Sequence, residues 1–282
     1  KQTNDKNESH PAYILKKINY DYKLPWGEKI KALDDINLEI TKGSTTGIMG
    51  PSGSGKTSLA VILAFLAKPH SGEIMFSGKE ITEHNLSEYR SRAGLSFQFP
   101  EKQFFCETVK EELSFGLKLR GINSEESDHA VSDALFSIGL NPEKFLERDP
   151  FTLSGGEKRK IGIAVTLALK PDIMIFDEPT SAIDGQGLKY LTGLCAELKE
   201  QGKTTFIISH NLEFILSVCD EVILMEKGGI KAAVPVPEIL DGKFNSEQSG
   251  ITLTDYARCV IEKCMKGGTA LKYLPPPGKF KF

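Results

Sequence analysis

The residues GPSGSGKTS, Gly50 to Ser58, satisfy the spacing GxxxxGK[ST]. The run TTGIM leads into them as a strand, and an apolar helix leads out from Lys56 to about Ala67. Backbone N–H groups of such a turn, with the helix N-terminus behind it, surround phosphate oxygens. Gly50, Gly53 and Gly55 permit the backbone angles and the close approach, and Pro51, Ser52 and Ser54 complete the turn. Lys56 then meets the β- and γ-phosphates of a nucleoside triphosphate. The Thr57 hydroxyl helps hold Mg²⁺, and Ser58 donates a further hydrogen bond to phosphate. A purely structural glycine-rich turn is the plain alternative, and the strand–loop–helix context argues against it.

A second centre lies in IMIFDEP, where Asp177 and Glu178 end an apolar strand. Ligands of an α/β sheet bind outside the carboxyl ends of its strands, so two carboxylates there can divide the work. Asp177 would hold Mg²⁺ through water, and Glu178 would orient or deprotonate an attacking water. The alternative is an exposed Asp-Glu pair that merely ends the strand. Upstream, LSGGEKRK opens a helix (Ser154 to Leu169) with Ser154 as its cap, so Gly155 and Gly156 present backbone N–H groups to an anion. One nucleotide already has its cradle. The second anion site is explained if this turn meets the γ-phosphate held by another subunit.

These residues need a scaffold. Ile36, Leu38 and Ile40 alternate with polar residues as in a half-buried strand, and short strands are expected at Gly72–Phe76 and Gly94–Phe97. From about Thr108 to Gly139 apolar residues recur at helical spacing (Val109, Leu113, Leu117, then Val131, Leu135, Ile138), which predicts a helical subdomain. Strands and helices then alternate: IMIF, a helix over Gly187–Glu200, TTFIIS, a helix to about Cys219, and the pair EVILM and IKAAV. That order implies a mainly parallel α/β sheet. A last amphipathic helix is expected at Leu253–Met265, before a proline-rich end.

Composition narrows the classes. The chain has 282 residues with 40% hydrophobic and 26% charged, which excludes collagen-like, coiled-coil and wholly disordered readings. Thirty-five Lys and Arg against 38 Asp and Glu leave a net charge of −3, which argues against a nucleic-acid binder. The apolar stretch LAVILAFLA falls far short of the roughly 20 residues that span a bilayer. The start KQTNDKNESHP lacks the apolar centre of a secretory signal. Five cysteines, nowhere spaced CxxC, predict neither a disulfide framework nor a zinc site, and fit a reducing cytosol.

The ordered set of motifs resembles the ATPase subunits of ABC transporters, over about residues 12–235. The resemblance implies a P-loop NTPase (RecA-like) core, an ABC-type antiparallel β portion and an inserted α-helical subdomain at about residues 99–170. It implies ATP and Mg²⁺ as ligands. Residues 1–11 are then a frayed start, 12–240 the ATPase domain and 241–282 a short C-terminal extension for dimer or partner contacts. Tyr22, in INYDY, matches the aromatic that stacks on adenine, with Tyr20 as the alternate. Gln98, in SFQFP, matches the glutamine that reaches Mg²⁺ and the attacking water. Asp184, in SAID, matches the loop that signals across the dimer, and also suits a helix cap. His210, after TTFIIS, matches the switch histidine at the γ-phosphate. The family usually has Gln where this chain has Glu157, which adds negative charge near the second half-site.

The run FQFPEKQFFCETVKEELSFGLKL is similar to the corresponding segment of energy-coupling factor importers. There two ATPase subunits, identical or paired, drive a transmembrane scaffold protein and a substrate-binding membrane protein from the cytoplasmic face of the membrane. Vitamins or transition-metal ions are the usual cargo. Phe99, Phe104 and Phe105 would floor a groove for a helix of the membrane partner, or all three are core of the helical subdomain. A non-transport ABC ATPase acting on nucleic acid or the ribosome is the alternative. It is disfavoured by the acidic balance and by the lack of a long coiled-coil insertion. A P-loop kinase leaves LSGGE and His210 unexplained.

Overall fold

The structure, a computed structural model, describes residues 11–23, 26–181 and 183–240. The expected frayed start falls mostly outside them, although Pro11 already opens a strand. The C-terminal extension and its helix at Leu253–Met265 lie outside them entirely.

Two long strands, β1 (Pro11–Lys23) and β2 (Lys29–Thr41), pair antiparallel. β1 escapes a period-two reading because Lys17, at φ 52°, interrupts it: Tyr13 and Leu15 point inward, Lys16 and Lys17 both point out, and Ile18 returns to the core. Such a bulge shifts the alternation by one residue. Next come β3 (Thr45–Met49), α1 (Lys56–Leu63), β4 (Ser71–Phe76), the short β5 (Lys79–Glu80), α2 (Leu86–Arg90) and β6 (Ala93–Ser96). The helical stretch holds α3 (Val109–Leu119), α4 (Ser124–Ser137), the single turn α5 (Pro142–Phe145) and α6 (Gly155–Ala168). The chain continues through β7 (Ile173–Asp177), α7 (Gly185–Glu200), β8 (Thr204–Ile208), α8 (Leu212–Val218), β9 (Glu221–Glu226), β10 (Gly229–Pro235) and α9 (Val236–Leu240).

The strands form two sheets, ordered β2-β1-β4-β5 and β10-β9-β3-β8-β7-β6. The first is antiparallel. In the second, β6, β7, β8, β3 and β9 run parallel and β10 turns back on β9. Both faces of this sheet are covered, as near-continuous apolar strands demand. Ile173, Ile175, Phe206, Ile208 and Ile223 join the core beneath the antiparallel sheet and α1. Met174, Phe176, Ile207, Val222 and Leu224 join a second core. That core extends through Val109, Leu113 and Leu117 of α3 and Val131 and Leu135 of α4 into the helical subdomain, so their helical spacing reflects packing onto α6. Each fully buried Ile, Leu or Phe contributes about 1.5–3 kcal/mol.

Two helix boundaries differ from expectation. α1 stops at Leu63, not near Ala67, because Phe65 turns left-handed (φ 56°). That turn places its ring among Tyr13, Phe76 and Tyr89, at centroid distances of 5.7, 5.6 and 5.8 Å. Burial and ring packing offset a backbone cost of roughly 1–2 kcal/mol. α7 begins at Gly185, two residues before Gly187, because Asp184 caps it. Among the described residues no helix is long and apolar enough to cross a membrane.

Candidate nucleotide site

β3 lies at the middle of the large sheet, between β9 and β8, and runs directly into the glycine-rich turn. Gly50 has φ 155°, and a Cβ there would sit 2.2 Å from the Met225 carbonyl oxygen and 2.8 Å from Ser54 Oγ. Gly55 has φ 98°, and a Cβ there would sit 2.5 Å from the Ala32 carbonyl oxygen. Both positions therefore require glycine, for approach as much as for angle. The turn closes around its own lysine: Lys56 Nζ donates to the carbonyls of Gly50 (2.7 Å) and Pro51 (3.0 Å). Burial draws the Lys56 pKa down, and Glu178 and then Asp177 pull it back up. Gly55 caps α1 without a side-chain bond, leaving the first-turn N–H groups to a ligand. Ser54 Oγ is buried with no partner. A glycine-lined cradle, uncapped N–H groups, an orphan hydroxyl and an ammonium group together fit a polyphosphate.

At the helix start Thr57 Oγ1 donates to Asp177 Oδ2 at 3.0 Å. The next residue, Ser58, shares a 3.1 Å hydrogen bond with the Tyr22 hydroxyl. The Tyr22 ring is 40% exposed and packs edge-on against Tyr20, at 5.1 Å. Tyr20 instead stacks on His70, so of the two it is Tyr22 that reaches the loop.

The carboxylates come from β7, every residue of which is buried. Glu178 follows in a left-handed conformation (φ 52°), yet its N–H still donates to Ile208 on β8 at 2.8 Å. That turn directs its carboxylate toward His210, just beyond β8. His210 Nε2 lies 3.2 Å from Glu178 Oε1 without forming a hydrogen bond, and the His210 backbone N–H donates to Oε2 at 3.4 Å. A Thr180–Ser209 hydroxyl bond of 2.9 Å ties the two loops together. Burial raises the pKa of both acids. For Asp177 the Thr57 hydrogen bond, Lys56 and Arg159 oppose it. For Glu178 the nearby His210 opposes it and Asp177 reinforces it. Gln98 lies two residues past β6, the neighbour of β7, and is half-buried. Lys56, Thr57, Asp177, Glu178, His210 and Gln98 thus share the carboxyl edge of β3, β8, β7 and β6.

The Ser154–Gly156 turn stands apart on α6. Ser154 Oγ accepts from the Glu157 N–H at 3.3 Å, and the Glu157 carboxylate accepts from the Ser154 N–H at 2.8 Å, a reciprocal capping box. The Ser154 bonds hold the Glu157 carboxyl below its usual range, with help from Arg148 at 3.2 Å. Glu157 is therefore a full negative charge, built into the cap. A Cβ on Gly155 would meet nothing within 4 Å, so that turn is open. Asp184 Oδ1 accepts from the Gly187 N–H at 2.7 Å; its capping role is met within this chain.

Three features were not anticipated. Arg159, one turn into α6, is 7% exposed with Nε and Nη1 unpartnered, among Glu101, Glu178 and Asp177. Its spacing with Gly162 and Thr166, on the face against Pro100 and β6, is the signal that would have found it. Arg148 is the second. Third, the three phenylalanines after Gln98 divide: Phe99 (46%) and Phe105 (61%) are exposed, while Phe104 (7%) packs into the subdomain core. Phe115 takes its place at the surface, 4.7 Å from Phe105 and edge-on to it.

A profile of the ABC transporter family matches residues 33–181. The energy-coupling factor transporter ATP-binding protein EcfA2 of Clostridium tetani is 39% identical over 201 residues, 70% of each chain. The protein of the same name from Enterococcus faecalis is 35% identical over 269 residues, covering 93% of this chain and 91% of that one. Among solved structures, a dimeric ATP-binding cassette in a post-hydrolysis state with ADP and Pi superposes with a TM-score of 0.71 at 30% identity, over 79% of this chain and 98% of that one. The cbiO1 protein of Clostridium perfringens, part of the ABC transporter complex cbiONQ, superposes equally well at 28% identity, over 88% of this chain and 98% of that one. With a P-loop core, an antiparallel β portion and an inserted helical subdomain, the chain belongs to the ABC transporter family of ATPases.

Proposed function

We propose that this chain binds and hydrolyses ATP as one of two ATPase subunits that power an energy-coupling factor type importer of a vitamin or transition-metal ion. The observation that carries the reading is the convergence of Lys56, the Thr57–Asp177 pair and the Glu178–His210 pair on one sheet edge. In this reading the Tyr22 ring stacks on adenine, while free backbone N–H groups of the turn before α1 and the Lys56 ammonium hold the phosphates. Thr57 and Gln98 would offer oxygens to Mg²⁺ and Asp177 would hold it through water; when bound, the ion spreads the charge of the β- and γ-phosphates. Glu178 receives a proton from the attacking water. Its raised pKa suits that role, since a better base accepts more readily near neutrality. The His210 backbone N–H holds the Glu178 carboxylate, and its imidazole faces the γ-phosphate.

The exposed turn Ser154–Gly156 completes the site of the other subunit, and Asp184 lies where the two meet. ATP then joins the pair, and loss of the γ-phosphate loosens it. The domain reading is an ATPase unit over 12–240, a helical subdomain at about 99–170, and partner contacts from 241–282. Phe99, Phe105 and Phe115 form the rim that receives a transmembrane scaffold protein, itself joined to a substrate-binding membrane protein. The chain would therefore work as a peripheral protein on the cytoplasmic face of the membrane.

Purification of the tagged chain from detergent-solubilised membranes tests this. Co-purification of a second ATPase subunit and two integral membrane proteins is expected. Recovery of ribosomal proteins or nucleic acid instead would overturn it in favour of a non-transport ABC ATPase.

A further inference from the structure

Glu157 sets an electrostatic problem. Its carboxylate, bonded to the Ser154 N–H and held ionised by the cap, sits beside the turn Ser154–Gly156, which on the reading above must accept a γ-phosphate. A negative charge beside an anion site repels the anion unless it is neutralised locally. Arg148 Nη1 lies 3.2 Å from Glu157 Oε1, on the oxygen that the cap leaves free; Oε2 accepts the Ser154 N–H. The guanidinium is held by more than this pair, since it lies over the Phe145 ring at 5.1 Å.

The Arg148 backbone is anchored as well. Its carbonyl accepts from the Val109 N–H at 2.9 Å, and the Leu146 carbonyl accepts from the Lys110 N–H at 2.9 Å. These bonds join the segment before α6 to the first turn of α3. From that same turn Glu112, 5% exposed, accepts from the backbone N–H groups of Phe105 and Cys106 at 3.1 and 2.9 Å. A continuous path of bonded groups thus runs from the exposed Phe105 through Glu112, the start of α3, Arg148 and Glu157 to Ser154.

We propose that Arg148 is the positioning residue of the Ser154–Gly156 half-site: it neutralises Glu157 and fixes the capping box, tying that turn to the aromatic rim. The inference rests on the half-site reading given under Proposed function. Arg148 acts through Glu157, its charged partner at the cap. An uncharged Gln at position 157 would keep the cap and remove the need for the arginine.

A double-mutant cycle on the intact transporter complex tests it, with the half-saturating ATP concentration and kcat measured separately. Arg148→Ala in the parent should raise the half-saturating concentration about fivefold, with kcat changing less than about twofold, as expected for a charge unmasked at a partly exposed helix N-terminus. In the Glu157→Gln background the same Arg148→Ala change should alter it less than about 1.5-fold, because no charge remains to unmask. Arg148→Lys should restore most of the loss, and it decides the matter should the alanine variant fail to fold. An equal penalty in both backgrounds would show a merely structural arginine and overturn the proposal, as would no penalty in the parent. Ser154→Arg reports on the underlying reading separately: unchanged turnover there would remove the half-site itself, whatever the cycle shows.

Discussion

Glu178→Gln should make this protein more stable while it stops turnover. The Glu178 side chain is 12% exposed, its Oε1 has no hydrogen-bond partner among the described residues, and Asp177 is its chain neighbour. A buried polar atom left unpaired costs about 1–3 kcal/mol and more when it is charged, so the neutral amide keeps the smaller cost. Glutamine keeps the shape and removes the charge, at the expense of a half-exposed contact with His210 worth little. A net gain of about 1 kcal/mol is expected, or roughly 2–4 °C in Tm for a chain of this size. The pH dependence follows from the direction of the shift. Burial raises the folded pKa above the unfolded value of about 4.3, so the folded state holds its proton more tightly. The stability from that proton is fully present below the unfolded value and is lost as pH rises through the folded one. The glutamine variant lacks this loss, so its advantage should be small near pH 4 and complete near neutrality. Thermal unfolding of both proteins without nucleotide, at about pH 5 and about pH 7.5, measures it. Turnover should fall by roughly two to four orders of magnitude with the general base gone. A variant less stable than the parent at the higher pH, or a gap that does not widen, would refute the assigned cost of the buried carboxylate.

Other perturbations probe other joints. Gly162→Ala would place a Cβ 2.3 Å from Pro100 Cβ and should cost about 1–3 kcal/mol of stability by chemical unfolding. An unchanged midpoint would mean that α6 is not seated on the segment after Gln98. Lys56→Ala should weaken ATP binding at least about tenfold by calorimetry, since it removes a charge-assisted contact to phosphate; equal affinity would place the phosphates elsewhere. Tyr22→Ala should weaken ATP about five- to tenfold, while Tyr22→Phe, which keeps the ring and loses only the Ser58 bond, should change it about twofold or less. Equal losses in the two variants would exclude stacking.

The places of the motif residues in the fold were legible because each motif is a short linear stretch with a fixed spacing. The glycines of the turn after β3, Asp177–Glu178 at the end of a wholly buried strand, and the Ser154 cap follow from local chemistry, and the alternation of strands and helices implied the parallel sheet. What stayed hidden depends on contacts between distant segments. The bulge at Lys17 breaks the period that would have marked β1, and Phe65 ends α1 early only because Tyr13, Phe76 and Tyr89 await its ring. Adjacent Phe104 and Phe105 have the same composition and opposite fates, set by which side of the turn before α3 each one faces. Glu157 reads as an isolated charge until Arg148, nine residues earlier and outside its helix, is found beside it.

The central claim is that each ATP lies between two polypeptides, one contributing the Lys56 loop and the other Ser154. Vanadate trapped with Mg²⁺ and nucleotide in the purified transporter takes the place of the γ-phosphate, and ultraviolet light then cuts the backbone beside it. Cleavage of this chain at two places is predicted, within Gly50–Ser58 and at Ser154. Cleavage confined to Gly50–Ser58, with Ser154 intact in the fully assembled complex, would contradict it.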